Sequence, residues 1–464
     1  MANKETKRKM KNNLKLAVSI PEAFAAAAPD EALPSGDPRY VDLSSCRGGE
    51  NIVDDLARQI IWTPKGYLKL LLTGHRGCGK TTELYRLKSR LEDAGYFVLY
   101  WNAELELNLM DAEWVDVILT HVRQLAEQIP EIDPDIKINE KFLDSIADWL
   151  AKEIVQKVER KEMEAELESK FKIGADIPFF LKALLGLKAY IRGGTEEVRE
   201  IRHELERRAI TLLNDMNLFI DDLQRQLGRK GYNGLIILVD GLEKLILRPL
   251  VEGEGERNIT SHNLLFIEQS EFLKSPSCHI VYTVPISLLA EENIAQVFPD
   301  DPVVIPMVEV YNKPLEESQP LKENQLGVDL LFEVVRRRID IEKVFSDEII
   351  LKKLCVESGG HIRDFLRLVR YACRYSKGDE IDENAANRAI SALSMEYDYL
   401  VKDVDIKKLV KVEQEKRLPS DMEYAHLPYH LLVLEYRSSG GEKWASVNPL
   451  VKRLSKFKEA YNGN

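Results

Sequence analysis

The sequence predicts a three-layer α/β core on a parallel sheet, with a long helical insertion and a helical region after it. Three observations carry this. Five short apolar runs recur with helical patterns between them, a glycine-rich loop joins the first run to a helix, and the pattern turns helical beyond residue 327. Runs of this length, apolar throughout and bounded by turn residues, read as strands buried on both faces. Their alternation with helices points to helices covering both sides of one sheet.

Taken in order, residues 1–35 read as a mobile arm, basic at first and then rich in Ala and Pro. In its first fifteen residues Lys4, Lys7, Arg8, Lys9, Lys11 and Lys15 stand against Glu5. Such a run is ordinarily a solvated tail, and a nucleic-acid or partner contact is the alternative. The core spans 36–311, with strands expected at 68–73, 96–101, 235–240, 279–285 and 303–310. Between the second and third lies a segment of about 103–233, too long for a structureless loop. Its stretches 154–171 and 196–227 carry apolar residues at helical spacing, so it reads as a helical insertion that packs on the core or projects as a hairpin. After a polar linker at 312–327, helices are expected at 328–339, 346–358, 362–377 and 383–393, forming a lid domain over 328–400. Asp382-Glu383-Asn384 supplies a helix start for the last of these. A small domain over 418–464 follows, with an apolar helix near 431–434, a Gly-rich turn at 438–441 and a segment from Trp444 to Leu454. This pattern is compatible with a winged helix.

Composition narrows the function classes. At 464 residues, 44% hydrophobic and 31% charged, the chain is an ordinary globular protein with room for two or three domains. A net charge of -12 argues against a molecule built as a whole to coat nucleic acid or anionic membrane. The five cysteines (Cys46, Cys78, Cys278, Cys355, Cys373) are scattered without a CxxC pair, so neither a disulfide framework nor a zinc site is expected, and a cytoplasmic setting is. Pro21 and Glu22 interrupt the apolar stretch after Lys7-Arg8-Lys9, which argues against a signal peptide. No window approaches the ~18 uncharged apolar residues of a membrane span. The best, 177–191, contains Lys182 and Lys188.

The chemistry concentrates in Gly74-His75-Arg76-Gly77-Cys78-Gly79-Lys80-Thr81, which fits GxxxxGK[ST] and sits between an apolar strand and a helix. In such a P-loop, glycines let successive N–H groups turn toward phosphate oxygens, and the helix N-terminus adds partial positive charge. Lys80 is expected at the β and γ phosphates, the Thr81 hydroxyl on Mg²⁺, and Thr82 beside it. Leu235-Ile236-Ile237-Leu238-Val239-Asp240 ends an apolar strand in a carboxylate, placed to hold Mg²⁺ directly or through water. The residue after it is Gly241, so the first acid available to polarise a water is Glu243; it is either that acid or a surface residue beside Lys244. Thr283, ending the next strand, is either a γ-phosphate sensor or a plain β-branched strand residue. Arg363, in Gly359-Gly360-His361-Ile362-Arg363-Asp364, either reaches over the nucleotide or stays on the surface, and His361 reads as structural. Cys78 fills a position that takes small residues; a redox role is the lesser reading.

Together these motifs resemble the AAA+ and STAND branches of the P-loop ATPases, in particular the STAND and origin-initiator-like members. Asp37 to Leu43 followed by Arg47-Gly48-Gly49-Glu50 is similar to the GRE-type segment that precedes the P-loop and cups adenine, and Gly359 to Asp364 is similar to the lid arginine motif. The resemblance covers roughly 37–395. Two departures stand out: Gly241 replaces the usual acid, and Arg336, Arg337 and Arg338 are finger candidates by composition alone.

The resemblance implies ATP with Mg²⁺, slow hydrolysis, self-association, and a nucleotide-dependent switch that controls a separate effector, as in bacterial signalling or anti-phage defence. The alternative is a DNA-acting ATPase of the replication-initiator or transposition-helper type. It draws on the winged-helix pattern, the basic arm, and Lys452, Arg453, Lys456 and Lys458.

Overall fold

In a computed structural model of the protein, the described residues are 15–139, 202–203, 205–250, 259–290, 294–316 and 319–463. The helix expected at 154–171, the apolar window 177–191 and the first fourteen residues of the arm lie outside them.

Strands β1 (Lys69–Gly74), β2 (Phe97–Asn102), β3 (Leu235–Asp240), β4 (His279–Thr283) and β5 (Val303–Ile305) form one sheet in the order β2-β3-β4-β1-β5. Every pairing in it is parallel. Helix α1 (Ile20–Ala26) is the first of the described residues' helices, and the chain enters the core through α2 (Ile52–Ile61) and α3 (Lys80–Asp93). Helices α4 (Trp114–Ile132) and α5 (Ala209–Arg229) are the described ends of the insertion, and both pack on the core.

The two faces of the sheet follow from the strand period of two. Leu235, Ile237 and Val239 point into one layer with Trp114, Val122 and Phe219, while Ile236 and Leu238 point into the other with Leu56, Leu84 and Leu87. Burial on both faces is why the runs read as continuous apolar strings. The fifth strand stops at Ile305, short of the expected 310. Pro306 offers no N–H to a ladder, and the chain leaves the sheet, with the Met307 N–H donating to Glu435 O at 3.0 Å.

Within the expected linker, β6 (Tyr311–Asn312) and β7 (Lys322–Glu323) pair antiparallel. The helical region comprises α6 (Gln325–Arg336), α7 (Glu348–Glu357), α8 (Ile362–Tyr375) and α9 (Glu383–Asp398). Asp382 caps α9 by accepting the Ala385 N–H at 2.7 Å. Then come α10 (Asp403–Glu415), α11 (His426–Tyr429), β8 (Val433–Arg437), β9 (Lys443–Val447), α12 (Pro449–Lys452) and α13 (Ser455–Asn462).

Two further expectations are corrected. The apolar stretch 431–434 is not a helix: Leu431 takes a left-handed φ of 61°, and Val433 opens a strand paired with β9 across the turn at 438–441. A four-residue apolar run cannot by itself separate helix from strand, and here the partner strand decides. Residues 15–35 are likewise no tail. Ala17 bridges to Ile339, and Ala23 and Ala27 are fully buried in one apolar cluster with α8. The Arg370 guanidinium lies 3.9 Å from the Phe24 ring centroid. Small alanine side chains let α1 lie flush on its neighbour, so the alanine run is a packing surface. The same cluster joins α1, the helices of 325–398 and the C-terminal unit. No described helix is long and apolar enough to cross a membrane.

Candidate nucleotide-binding site

Strand β1 delivers the chain to the glycine-rich loop, and α3 begins at Lys80. Gly79 caps that helix at φ 105°, a left-handed turn that only glycine adopts without strain. At Gly77 (φ 81°) a Cβ would lie 2.7 Å from Arg363 Cβ and 2.8 Å from His361 Nε2. The loop is therefore roofed by the start of α8, and the bare backbone at Gly77 lets that roof close.

Lys80 is buried. Its ammonium donates to Gly74 O (2.9 Å) and His75 O (3.0 Å) and stands 3.5 Å from Glu243 Oε1. The Thr81 hydroxyl donates to Asp240 Oδ2 at 2.7 Å, which links the two residues expected on Mg²⁺ although β4 separates their strands. Sequence reasoning missed Tyr100, whose hydroxyl donates to the same oxygen at 2.8 Å. The Gly241 N–H fills the other carboxylate oxygen at 2.9 Å.

Gly241 explains the absent acid. It sits at φ 81°, and a Cβ there would come within 2.6 Å of Asn102 Oδ1. Any side chain at this position collides with the cap of the segment after β2. The following turn instead carries Glu243 inward, with 5% exposure, so Glu243 is not a surface acid. Burial pushes its pKa up, but Lys80 and the nearby Thr283 hydroxyl more than offset this, leaving it lowered. Asp240 moves the other way: burial and the Glu243 charge outweigh its bonds from Thr81 and Tyr100. Glu243 thus pairs with the buried Lys80 ammonium, while Asp240 is held by Thr81 and Tyr100.

Glu243 Oε2 and Thr283 Oγ1 are both buried without a hydrogen-bond partner. Unpaired buried polar atoms are costly, and Glu243, beside Lys80 and lining the cleft, fits a space shaped for a polar occupant. Thr81 and Asp240 fit Mg²⁺ as oxygen ligands, and the excess carboxylate charge beside them suits a cation. Among the described residues no group of three or more His, Cys, Asp or Glu side chains is placed to hold a metal. An ion here would draw its remaining ligands from phosphate and water.

Above the loop opens a cleft of about 950 Å³, solvent at its mouth included. Gly77 to Thr82 and Glu243 line one end, and Leu33, Val41, Leu43, Val334, Ile362 and Leu366 make an apolar wall. Arg47 lines it too, but its guanidinium donates to Cys78 O at 2.9 Å, so it braces the loop. Cys78 is fully buried. Arg363 lies over Gly77 with Nε 3.0 Å from Asp30 Oδ1. The Thr82 hydroxyl accepts the Leu33 N–H at 3.1 Å. Of the arginine trio, Arg336 pairs with Glu333, Arg337 donates to Tyr40 O, and Arg338 lines the cleft.

The imidazole of His75 turns to the C-terminal unit instead. Nε2 accepts the Glu435 N–H at 3.0 Å, so Nδ1 carries the hydrogen donated to Pro428 O at 3.1 Å. Burial pushes this imidazole down to about 3, which keeps it neutral. Arg76 lies 5.2 Å from the Tyr429 ring centroid and donates to Lys244 O. His361 Nε2 stands 2.6 Å from Arg76 O and Nδ1 2.9 Å from Asp364, a structural brace. The basic side chains near the end are largely paired internally: Lys452 with Glu413 at 2.7 Å, Arg453 with Glu357, and Lys456 with Asp398 at 2.9 Å.

No protein-family profile matches the chain, and no curated protein matches it. Among solved structures it is similar to the ORC2 protein of Aeropyrum pernix (13% identity, 89% of this chain and 93% of that one, TM-score 0.38). It is similar to a Walker-type ATPase of Pyrococcus abyssi (14%, 88% and 96%, TM-score 0.38). It is also similar to Cdc6p of Pyrobaculum aerophilum (11%, 95% and 98%, TM-score 0.38). Likenesses at these scores carry no functional argument.

Proposed function

We propose that this chain is an ATP-binding, slowly hydrolysing P-loop ATPase of the AAA+/STAND kind that works as a nucleotide-dependent switch. Lys80 and the loop N–H groups take the phosphates, Thr81 and Asp240 hold Mg²⁺, and Glu243 orients the attacking water with Thr283 beside it. Bound Mg²⁺ supplies charge neutralisation at the transferred phosphoryl group. Arg363 reports the phosphate state to α8. The apolar wall made by Leu33, Val41, Val334 and Ile362 suits a purine ring.

One observation carries the switch reading. The phosphate loop is itself a contact surface for two other parts of the chain, through His75 to Pro428 and Glu435, and through Arg76 O to His361. A loop held this way transmits any rearrangement at the phosphates to the C-terminal unit and the lid. Self-association and a separate effector belong to the same proposal, and a role in signalling or defence extends it. The DNA-acting reading is weaker, because Lys452, Arg453 and Lys456 are engaged in ion pairs within the chain. The test is whether ATP changes amide exchange in the C-terminal unit; exchange there that ignores nucleotide would sink the switch.

A further inference from the structure

The cleft has a cover that the phosphate and metal chemistry does not use. Residues 29–33 line the cleft together with Gly77, Cys78 and Gly79. This strap is fastened at several points. The Leu33 N–H donates to the Thr82 hydroxyl at 3.1 Å, and the Leu33 side chain is buried at 6% exposure. Arg39 grips Glu31 with two bonds, of 2.9 and 2.6 Å, and chelates Asp37 as well. Upstream, α1 is fixed on α8 by Arg370, which donates to Phe24 O at 3.2 Å.

At the centre of the strap, Asp30 places a carboxylate oxygen 3.0 Å from Arg363 Nε. Arg363 is the cation that roofs Gly77, and its Nε is buried without a well-formed hydrogen bond. A carboxylate on that guanidinium occupies the place where a phosphate oxygen would form a stronger, charge-assisted contact. The Asp30 side chain is 79% exposed, so it can swing away into water when displaced.

We infer that Asp30 is a built-in competitor for Arg363 and sets how strongly the site distinguishes a nucleoside triphosphate from a diphosphate. The triphosphate brings the phosphate group that displaces Asp30; the diphosphate leaves Asp30 on Arg363 and the strap shut. The contact is partly solvated, so its strength is that of a weak ion pair, equivalent to about a two- to fivefold change in affinity. This inference rests on the nucleotide reading above and names a discriminating residue within the same site.

The experiment titrates a fluorescent ATP analogue with a non-hydrolysable β–γ bridge, and its diphosphate counterpart, into five full-length proteins. These are wild type, Asp30→Asn, Asp30→Glu and Arg363→Ala, with Asp30→Asn repeated in the Arg363→Ala background. Asp30→Asn is expected to tighten the triphosphate about two- to fivefold with little change for the diphosphate. Asp30→Glu keeps the wild-type ratio, and in the Arg363→Ala background Asp30→Asn has no effect. An unchanged triphosphate-to-diphosphate ratio in Asp30→Asn overturns the inference while leaving nucleotide binding intact. So does an equal effect with Arg363 removed. Failure of wild type to bind either nucleotide removes the nucleotide reading and this inference with it.

Discussion

Putting the customary acid back at position 241 should damage this protein rather than speed it up. Gly241 has φ 81°, and a non-glycine residue in the left-handed region costs about 1–2 kcal/mol. Its Cβ would stand 2.6 Å from Asn102 Oδ1 and 3.4 Å from Ala103 N, so Asn102 must turn away. Asn102 accepts the Glu104 N–H at 2.9 Å as a helix cap, and losing a cap costs about 1 kcal/mol. The expected loss is about 2–3 kcal/mol, a large share of ordinary domain stability. Gly241→Ala and Gly241→Glu should lose it alike, because backbone and collision, not charge, are responsible. Urea unfolding at constant m-value reads the loss, and steady-state turnover with ATP reads activity. Both variants should have lower midpoints, and Gly241→Glu should turn over no faster than wild type. A Gly241→Glu protein as stable as wild type and clearly faster would refute the reasoning.

Two further expectations follow from the site and the core. Glu243→Gln keeps the shape and loses the base, so ATP affinity should stay within a few fold while turnover falls by at least about 100-fold; unchanged turnover would remove Glu243 from the chemistry. His75 and His121 are pushed down to about 3, and His262 and His279 to about 4, in each case chiefly by burial. These folded values lie below the unfolded value near 6.5, so the unfolded chain takes up protons first as pH falls. Their stabilisation is complete above about pH 6.5 and drains at about 1.4 kcal/mol per pH unit for each histidine. Glu113, raised to about 7 mainly by burial, works in the opposite direction over that range. Comparing urea midpoints at pH 7 and pH 5, His121→Gln should recover about 2 kcal/mol of the acid loss; equal losses in variant and wild type would contradict this.

What could be read from the chain was local. The P-loop and the Asp-terminated strand announce themselves within eight residues, because loop, strand end and helix start are set by neighbouring residue types. Strand positions were legible to within a residue or two, except where Pro306 ends β5 early. Capping by Asp382 was equally visible. Misreadings came where distant partners decide. Val433 and Leu434 fall in a strand because Lys443 to Val447 lies beside it. The alanine run of the arm became a packed helix because α8 receives it. Nothing near Tyr100 reveals that its hydroxyl meets Asp240, 140 residues away, nor does the loop show that His75 reaches Glu435 across 360 residues. Asp30 lay in a segment that composition alone assigns to a tail. Gly241 looked like a missing acid, and its left-handed φ and the Asn102 collision make it a required glycine.

The most direct test of the switch is hydrogen exchange followed by mass spectrometry, with and without ATP and Mg²⁺, on wild type, Lys80→Ala and His75→Ala. In wild type, nucleotide should change protection at 426–447 and 359–364 as well as in the phosphate loop. Lys80→Ala should show none of these changes, and His75→Ala should keep the change at the loop while losing it at 426–447. A wild-type response confined to the loop and cleft, with 426–447 exchanging identically in both conditions, would contradict the claim that this site controls the rest of the chain.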